Sequence, residues 1–146
     1  MKMTKIQLVI IVEVAHLYIK LDELTFTSIE EKSYKAMPKN VYAQAKRVKS
    51  SSLKMVKVRL GTVYEIHVTI FNLNKNSASD LIKVILKPEI NVEFYDTYSK
   101  SYKILNCYCQ DVENTIKRAF KNDQEILYEP LSLKLVANEA ASWVVV

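Results

Sequence analysis

The feature that most constrains the fold is a strict alternation of apolar and polar residues along residues 64–70. Positions 64, 66, 68 and 70 are aromatic or aliphatic, and the three positions between them are polar. Because successive side chains of a β-strand point to opposite faces, this pattern predicts a strand with one buried face. Shorter apolar runs occur at residues 53–60, 90–94, 104–109 and 131–135. With the terminal segments included, they predict eight to ten strands.

Many short strands separated by polar turns, with few helices, predict a mainly β protein. We expect residues 1–146 to form a single domain, a two-sheet antiparallel sandwich of immunoglobulin-like or jelly-roll-like type. A small closed barrel is the alternative. A chain of 146 residues is long enough to bury one hydrophobic core.

Two regions are expected to be helical. One short helix is predicted near 111–122, because apolar residues recur there at helical spacing and Asp111 is suited to the N-cap position. A helical insertion is predicted near 28–48, where Thr27–Glu31 contains overlapping capping-box patterns. A long insertion between two strands is the alternative for this second region.

Two shorter segments also carry specific predictions. Residues 80–86 are expected to form a strand, because Ile82, Val84 and Leu86 are in phase. Gly61–Thr62 is expected to form a turn that separates two strands.

Both ends of the chain are apolar and are expected to form strands. Ile6–Leu21 reads as one long strand or two joined strands, and Ser142–Val146 as a terminal strand. The N-terminal segment is too short and too polar to span a membrane, so no transmembrane segment is expected. An exposed strand edge is an association hazard for a monomer, whereas in a polymer it can extend a neighbour's sheet. The predicted assembly interface consists of Ile6, Leu8, Ile10, Val12, Trp143, Val144, Val145 and Val146.

A scarcity of glycine argues against several classes of enzyme. Gly61 is the only glycine, where about ten are expected at a usage of roughly 7%. Phosphate-binding loops and nucleophile elbows use glycine for tight turns and close backbone approach. His16 and His67 lie outside any known catalytic spacing. We therefore expect no enzymatic activity, no catalytic residues and no cofactor.

The two cysteines are expected to be thiols. Cys107 and Cys109 are separated by one residue, so on a strand both side chains point to the same face. Cysteines this close rarely form an unstrained disulfide. A metal site would need two further ligands, and the only histidines are His16 and His67. No metal site is therefore expected.

The net charge of +5 raises the question of an acidic partner. A basic run lies in the middle of the chain, and nine tyrosines offer stacking surfaces for unpaired bases. The run consists of Lys46, Arg47, Lys49, Lys54, Lys57 and Arg59. A solvated strand face explains the same run, so nucleic-acid binding is not the favoured interpretation.

The favoured interpretation is a non-catalytic structural subunit of a homomeric assembly, such as a filament, a pilus-like fibre or a coat. For a subunit of such an assembly, the expected location is an extracellular surface or a virion. One alternative is a single-stranded nucleic-acid-binding protein. The other is a carbohydrate- or ligand-binding module with exposed aromatic residues. The candidates for that role are Tyr95, Tyr98, Tyr102 and Trp143.

Overall fold

The computed structural model describes residues 17–47, 53–110 and 128–145. These ranges contain seven strands, one short 3-10 turn at Glu31–Ser33 and one α-helix. The strands are β1 (Ile19–Leu21), β2 (Leu24–Phe26), β3 (Lys35–Arg47), β4 (Met55–Ile70), β5 (Ile90–Asp96), β6 (Ser101–Gln110) and β7 (Leu131–Ala137); the helix is α1 (Lys75–Ile85).

The seven strands form one antiparallel sheet in the order β2-β1-β5-β6-β7-β4-β3. The prediction of a mainly β protein is therefore confirmed. The two-sheet sandwich is not confirmed, because all seven described strands pair side by side within a single sheet.

The sheet is strongly curled. β3 lies close to β5, although four places separate the two strands in the sheet order. The hydroxyl of Tyr34, directly before β3, donates a hydrogen bond to the carbonyl of Tyr18 (3.1 Å). The same hydroxyl accepts one from the backbone N–H of Tyr95 in β5 (3.0 Å). These bonds hold the start of β3 against the opposite side of the sheet.

The hydrophobic core collects the alternate residues of five strands. In β4 the even-numbered residues from Thr62 to Ile70 are buried and the odd-numbered ones between them are half-buried. This confirms the alternation predicted for residues 64–70. The largest fully buried side chains are Tyr64, Phe94, Ile19, Leu21, Ile66, Ile70, Leu81, Ile85, Ile90, Leu135, Val68 and Val92.

The strand predicted at residues 80–86 is wrong, because this segment belongs to α1. Asn74 caps the helix: its side-chain oxygen accepts from the N–H groups of Asn76 and Ser77, and the Ser77 hydroxyl accepts from Asn74 N–H. This capping box satisfies donors that the first turn leaves unpaired. The buried residues of α1 are Ala78, Leu81 and Ile85, which recur at helical spacing. The predicted buried residues Ile82, Val84 and Leu86 are not among them.

The helical insertion predicted near 28–48 is also wrong. Within residues 28–47, which the structure describes, helical geometry is limited to Glu31–Ser33, and β3 follows from Lys35. Pro38 lies within β3, which pairs only with β4 among the described residues. Proline is tolerated at such an edge, because the missing N–H can face away from the ladder.

The turn predicted at Gly61–Thr62 is wrong as well, since both residues lie inside β4. Gly61 pairs with Val41, and a Cβ atom placed on Gly61 would come within 3.1 Å of the Ala140 side chain. Glycine at this position thus allows the C-terminal segment to approach the strand closely.

The terminal predictions have different outcomes. Ser142 and Trp143 form a turn and residues 144–145 are irregular, so the predicted terminal strand is wrong for residues 142–145. Residues 1–16 and Val146 lie outside the described residues, as does the helix predicted near 111–122. Among the described residues, α1 is the one α-helix, and it does not meet the length and apolarity that a membrane crossing requires.

Candidate functional site

The most distinctive surface is a two-stranded extension of the sheet, which we call the arm and define as residues 41–47 of β3 and 55–61 of β4. β4 pairs with β7 only from Glu65 to Ile70. Towards Met55, β4 continues with β3 as its sole partner strand among the described residues. Seven residues of strand extend roughly 23 Å at about 3.3 Å per residue, so the arm projects well past β7.

A β-bulge at Leu60 decides which side chains share each face of the arm. Val41 pairs with Gly61 but the next residue, Tyr42, pairs with Arg59, which leaves Leu60 as the extra residue. Arg59 donates from Nε to Asn40 Oδ1 (3.0 Å), and Thr62 donates to the same oxygen (2.7 Å). Arg59 therefore lies on the side of β4 that carries buried Thr62, although regular alternation would place it on the other side.

The opposite face of the arm is apolar and exposed. Val56, Val58 and Leu60 alternate with Lys57 and Arg59, so they point away from the core side. Their exposed fractions are 46%, 54% and 66%. A row of aliphatic side chains on a projecting ribbon has no core of its own beneath it. Contiguous apolar surface of this kind marks an interaction site more often than scattered single residues do.

The core-side face of the arm is basic. The Lys57 ammonium lies 4.5 Å from the centre of the Tyr42 ring, a cation–π arrangement. Asn40 Nδ2 contacts the Tyr42 hydroxyl at 3.4 Å. Arg59 also donates to the hydroxyl of Thr62 and to the carbonyl of Val144. These contacts hold an aromatic ring, an ammonium and a guanidinium next to one another.

The charge of the chain is concentrated in this region. Residues 32–64 contain nine Lys or Arg and no Asp or Glu, a charge of +9. The rest of the chain has the remaining 12 of 21 basic residues and all 16 acidic ones, a charge of −4. The net charge of +5 therefore originates in β3, the arm and the segments next to them.

A second cluster of charges lies on the outer face of β4. Glu65 accepts from Lys39, from Lys134 (3.0 Å) and from His67 Nε2 (2.9 Å). Hydrogen bonds from Lys39, His67 and Lys134 lower the pKa of Glu65 to about 2. His67 thus belongs to a structural ion cluster that joins β3, β4 and β7.

Replacing Glu65 with glutamine should flatten the acid side of the stability profile. The folded pKa is lowered, so the contribution of Glu65 is complete above 4.5 and is lost as pH falls towards 2. Because the three partners are 39–57% exposed, we expect a loss of only about 1 kcal/mol at neutral pH. Urea unfolding at neutral and acidic pH measures it. The matched control is Glu89→Gln, at an exposed carboxylate; an equal effect there would contradict the assignment.

A buried carboxylate fastens the C-terminal segment to the core. Asp96 is 1% exposed and its two oxygens accept four hydrogen bonds. The donors are the Tyr64 hydroxyl (2.6 Å), Trp143 Nε1 (2.9 Å), Tyr98 N–H (3.2 Å) and Ser99 N–H (3.1 Å). Burial alone raises the pKa of Asp96, but these bonds outweigh it and the pKa is lowered.

Two C-terminal residues of the predicted interface, Trp143 and Val144, pack against the hydrophobic core of their own chain. The Trp143 ring packs against Tyr64 and Phe94, and Val144 is partly buried against the same cluster. Val145 is exposed, and its carbonyl accepts from the hydroxyl of Tyr98 (3.3 Å). The remaining predicted interface residues, Ile6, Leu8, Ile10, Val12 and Val146, lie outside the described residues.

The aromatic residues considered for carbohydrate binding do not share one surface. Tyr102 stacks on Tyr18 with ring centres 4.2 Å apart, and Tyr95 meets Tyr102 edge-on. Tyr95 alternates with buried Phe94, so it lies on the sheet face opposite to the core that holds Trp143. These residues form two separate clusters and no flat platform.

The described residues include both cysteines and show how the potential metal ligands are distributed. No disulfide joins Cys107 to Cys109. Burial of Cys107 raises the pKa of its thiol to about 12. In residues 17–47, 53–110 and 128–145, no three His, Cys, Asp or Glu side chains are grouped closely enough to hold a metal ion.

Sequence patterns singled out part of this site and missed the rest. The basic run includes the arm residues Lys46, Arg47, Lys57 and Arg59, and the lack of acidic residues from 32 to 64 is a signal visible in the sequence. Tyr42 and the exposure of the aliphatic row were missed, because both depend on where β7 ends and on the bulge at Leu60. Neither a protein family, nor a curated protein sequence, nor a solved structure matches this chain.

Proposed function

We propose that the protein is a non-catalytic structural subunit of a homomeric assembly and that its subunits contact each other through the arm. The observation that carries this proposal is the exposed aliphatic row of Val56, Val58 and Leu60 on a two-stranded ribbon. An isolated two-stranded hairpin is marginally stable in water, and three or more strands are normally needed. A partner that covers the row and adds a strand supplies what the arm lacks.

The strand edges of the arm favour a second copy as that partner. Among the described residues, the outer edge of β3 has no neighbouring strand, and β4 has none beyond β3 from Met55 to Gly61. A ribbon with two available edges can receive a strand on each side. Identical subunits that repeat such a contact form a ring or a filament.

The arm replaces the C-terminal residues as the proposed contact. Trp143 and Val144 are engaged in their own subunit's core, which removes them from the surface that a neighbour would cover. Ile6, Leu8, Ile10 and Val12 stay part of the predicted interface, either donated to a neighbour or paired within their own subunit. If they are donated, deleting residues 1–12 should abolish polymerisation and leave a folded domain; if they pair internally, the deletion should unfold the protein.

The test is the mass of the native particle. Val58→Thr combined with Leu60→Thr places β-branched residues at both positions of the strand but removes apolar surface, which weakens each contact by about tenfold or more in association constant. We expect the wild-type protein to form particles larger than one chain and the double variant to remain at the mass of one chain. Light scattering after size-exclusion chromatography and negative-stain microscopy measure this.

The matched control is Ile104→Thr, at an aliphatic residue of β6 that is 60% exposed and lies outside the arm. This variant should assemble like the wild type. A wild-type protein that remains monomeric at high concentration contradicts the proposal, and so does equal loss of assembly in the control.

A further inference from the structure

The basic face of the arm has no role in the proposed apolar contact. It points to the core side, whereas Val56, Val58 and Leu60 point away from it. On this face the side chains of Lys57 and Arg47 are exposed, and Arg47 pairs with Met55, two residues before Lys57. No carboxylate lies between residues 32 and 64 to neutralise them. The positive charges of this face are therefore either hydrated or neutralised by an anionic partner.

We propose that this face of the arm binds the phosphate backbone of a nucleic acid. Duplex DNA carries one negative charge per about 1.7 Å of helix axis, which is the dense, regular charge that a row of ammonium and guanidinium groups complements. Arg59 is held in place by Asn40 and Thr62, so its guanidinium is already positioned before a ligand arrives. Pre-positioning lowers the entropy lost on binding.

The shape of the arm suits the same ligand. A two-stranded β-ribbon fits the major groove of B-form DNA. Tyr42, beside Lys57, offers an aromatic surface on which an unpaired base can stack. Phosphate contacts by Arg47 and Lys57 are expected with single-stranded and duplex nucleic acid alike, so the contribution of Tyr42 decides which of the two the site binds.

The carboxylates of a second copy fit this face less well. Several of the described ones are already engaged: Glu65 with three cations, Asp22 with Lys87, and Glu93 with the hydroxyl of Tyr18. Asp96 is buried. The acidic excess outside residues 32–64 is four charges, which is less than half of the nine positive charges to be matched.

The experiment measures binding of the full chain to a fluorescent single-stranded oligonucleotide and to its duplex by polarisation at several salt concentrations. The test variant is Arg47→Gln with Lys57→Gln, and the control is Lys75→Gln with Lys83→Gln, which removes the same charge from α1. We expect the arm variant to lower the steepness of the salt dependence by about 2 and the affinity by about tenfold or more. The control should bind like the wild type. Circular dichroism and thermal melting check that both variants fold.

Tyr42→Leu separates the two forms of the ligand. A loss of about fivefold or more for the single strand, with the duplex unchanged, assigns the site to stacked single strands. No loss for either form assigns it to duplex phosphates. Absence of wild-type binding at low salt overturns the proposal, as does an equal loss in the α1 control. If the wild-type protein binds no nucleic acid while the arm variant changes the particle mass, the face is assigned to a second copy instead. The variant Val58→Thr/Leu60→Thr should keep its nucleic-acid affinity per chain. Failure of the assembly proposal can therefore be distinguished from failure of the nucleic-acid proposal.

Discussion

Replacing Leu81 with alanine is expected to lower the free energy of unfolding by about 3 kcal/mol, within the usual range of 2–5 for such truncations. Leu81 is fully buried at the centre of α1, where it joins Ala78 and Ile85 in the core. Removal of its side chain takes away apolar contacts and leaves a cavity that the surrounding sheet can only partly fill. Urea unfolding followed by circular dichroism measures the loss.

Leu86→Ala is the matched control for this prediction. Leu86 follows α1 directly and is 67% exposed. Truncating it should change the free energy of unfolding by less than about 0.5 kcal/mol. If residues 80–86 formed a strand with Ile82, Val84 and Leu86 on its buried side, the sizes of the two effects would be reversed.

Replacing Asp96 with asparagine is expected to cost about 2 kcal/mol. The asparagine side chain has nearly the same volume, but its NH2 group replaces one of the two carboxylate oxygens. The donors that were bonded to that oxygen then face another donor. Trp143 Nε1 or the Tyr64 hydroxyl then loses its charged partner within the core. Hydrogen bonds to charged groups contribute about 1.5–3 kcal/mol, and a buried donor left unpaired costs a similar amount.

The pH dependence gives this prediction an independent check. The pKa of Asp96 is lower in the folded protein, so the unfolded chain binds more protons as pH falls through the ordinary range of aspartate. Its contribution is present above that range and is lost below it. The difference between wild type and Asp96→Asn should therefore shrink in acid. A constant difference down to low pH would show that the loss is steric.

Trp143→Phe completes the test of Asp96. It removes one donor but keeps an aromatic ring against Tyr64 and Phe94. If the two groups act through one hydrogen bond, the double variant should lose less than the sum of the single losses. Additive losses would place Trp143 and Asp96 in independent roles. In Asp96→Asn, which retains the single tryptophan, Trp143 fluorescence reports whether the C-terminal segment remains docked.

The alternation in residues 64–70 predicted the buried face of β4 correctly, because alternation is a local property that any partner strand preserves. The same reasoning failed at residues 80–86. A short apolar run is compatible with a strand or a helix, and here the capping box at Asn74 and the burial of Leu81 favour the helix. The prediction for residues 28–48 failed because the capping patterns at Thr27–Glu31 cap no α-helix among the described residues: the 3-10 turn Glu31–Ser33 has Glu30 at its N-cap and no side-chain capping bond.

The candidate site was only partly visible in the sequence. The basic run at Lys46–Arg59 and the lack of nearby carboxylates are properties of composition and need no structure. The separation into an apolar face and a basic face is different. It depends on the bulge at Leu60, which appears only when β4 is paired with β3.

By itself, the sequence determined that the protein is mainly β, that the even-numbered residues of 64–70 are buried, and that positive charge collects between residues 32 and 64. Each of these follows from neighbours in the chain. Tertiary structure alone decided three further features: the length of the arm, the exposure of Val56–Leu60, and the contacts of Tyr64 and Trp143 with Asp96. Tyr64 and Trp143 are 32 and 47 residues from Asp96, and β7 pairs with β4 no further than Glu65, short of the arm. No local pattern specifies such meetings, because they depend on how the whole sheet curls and pairs.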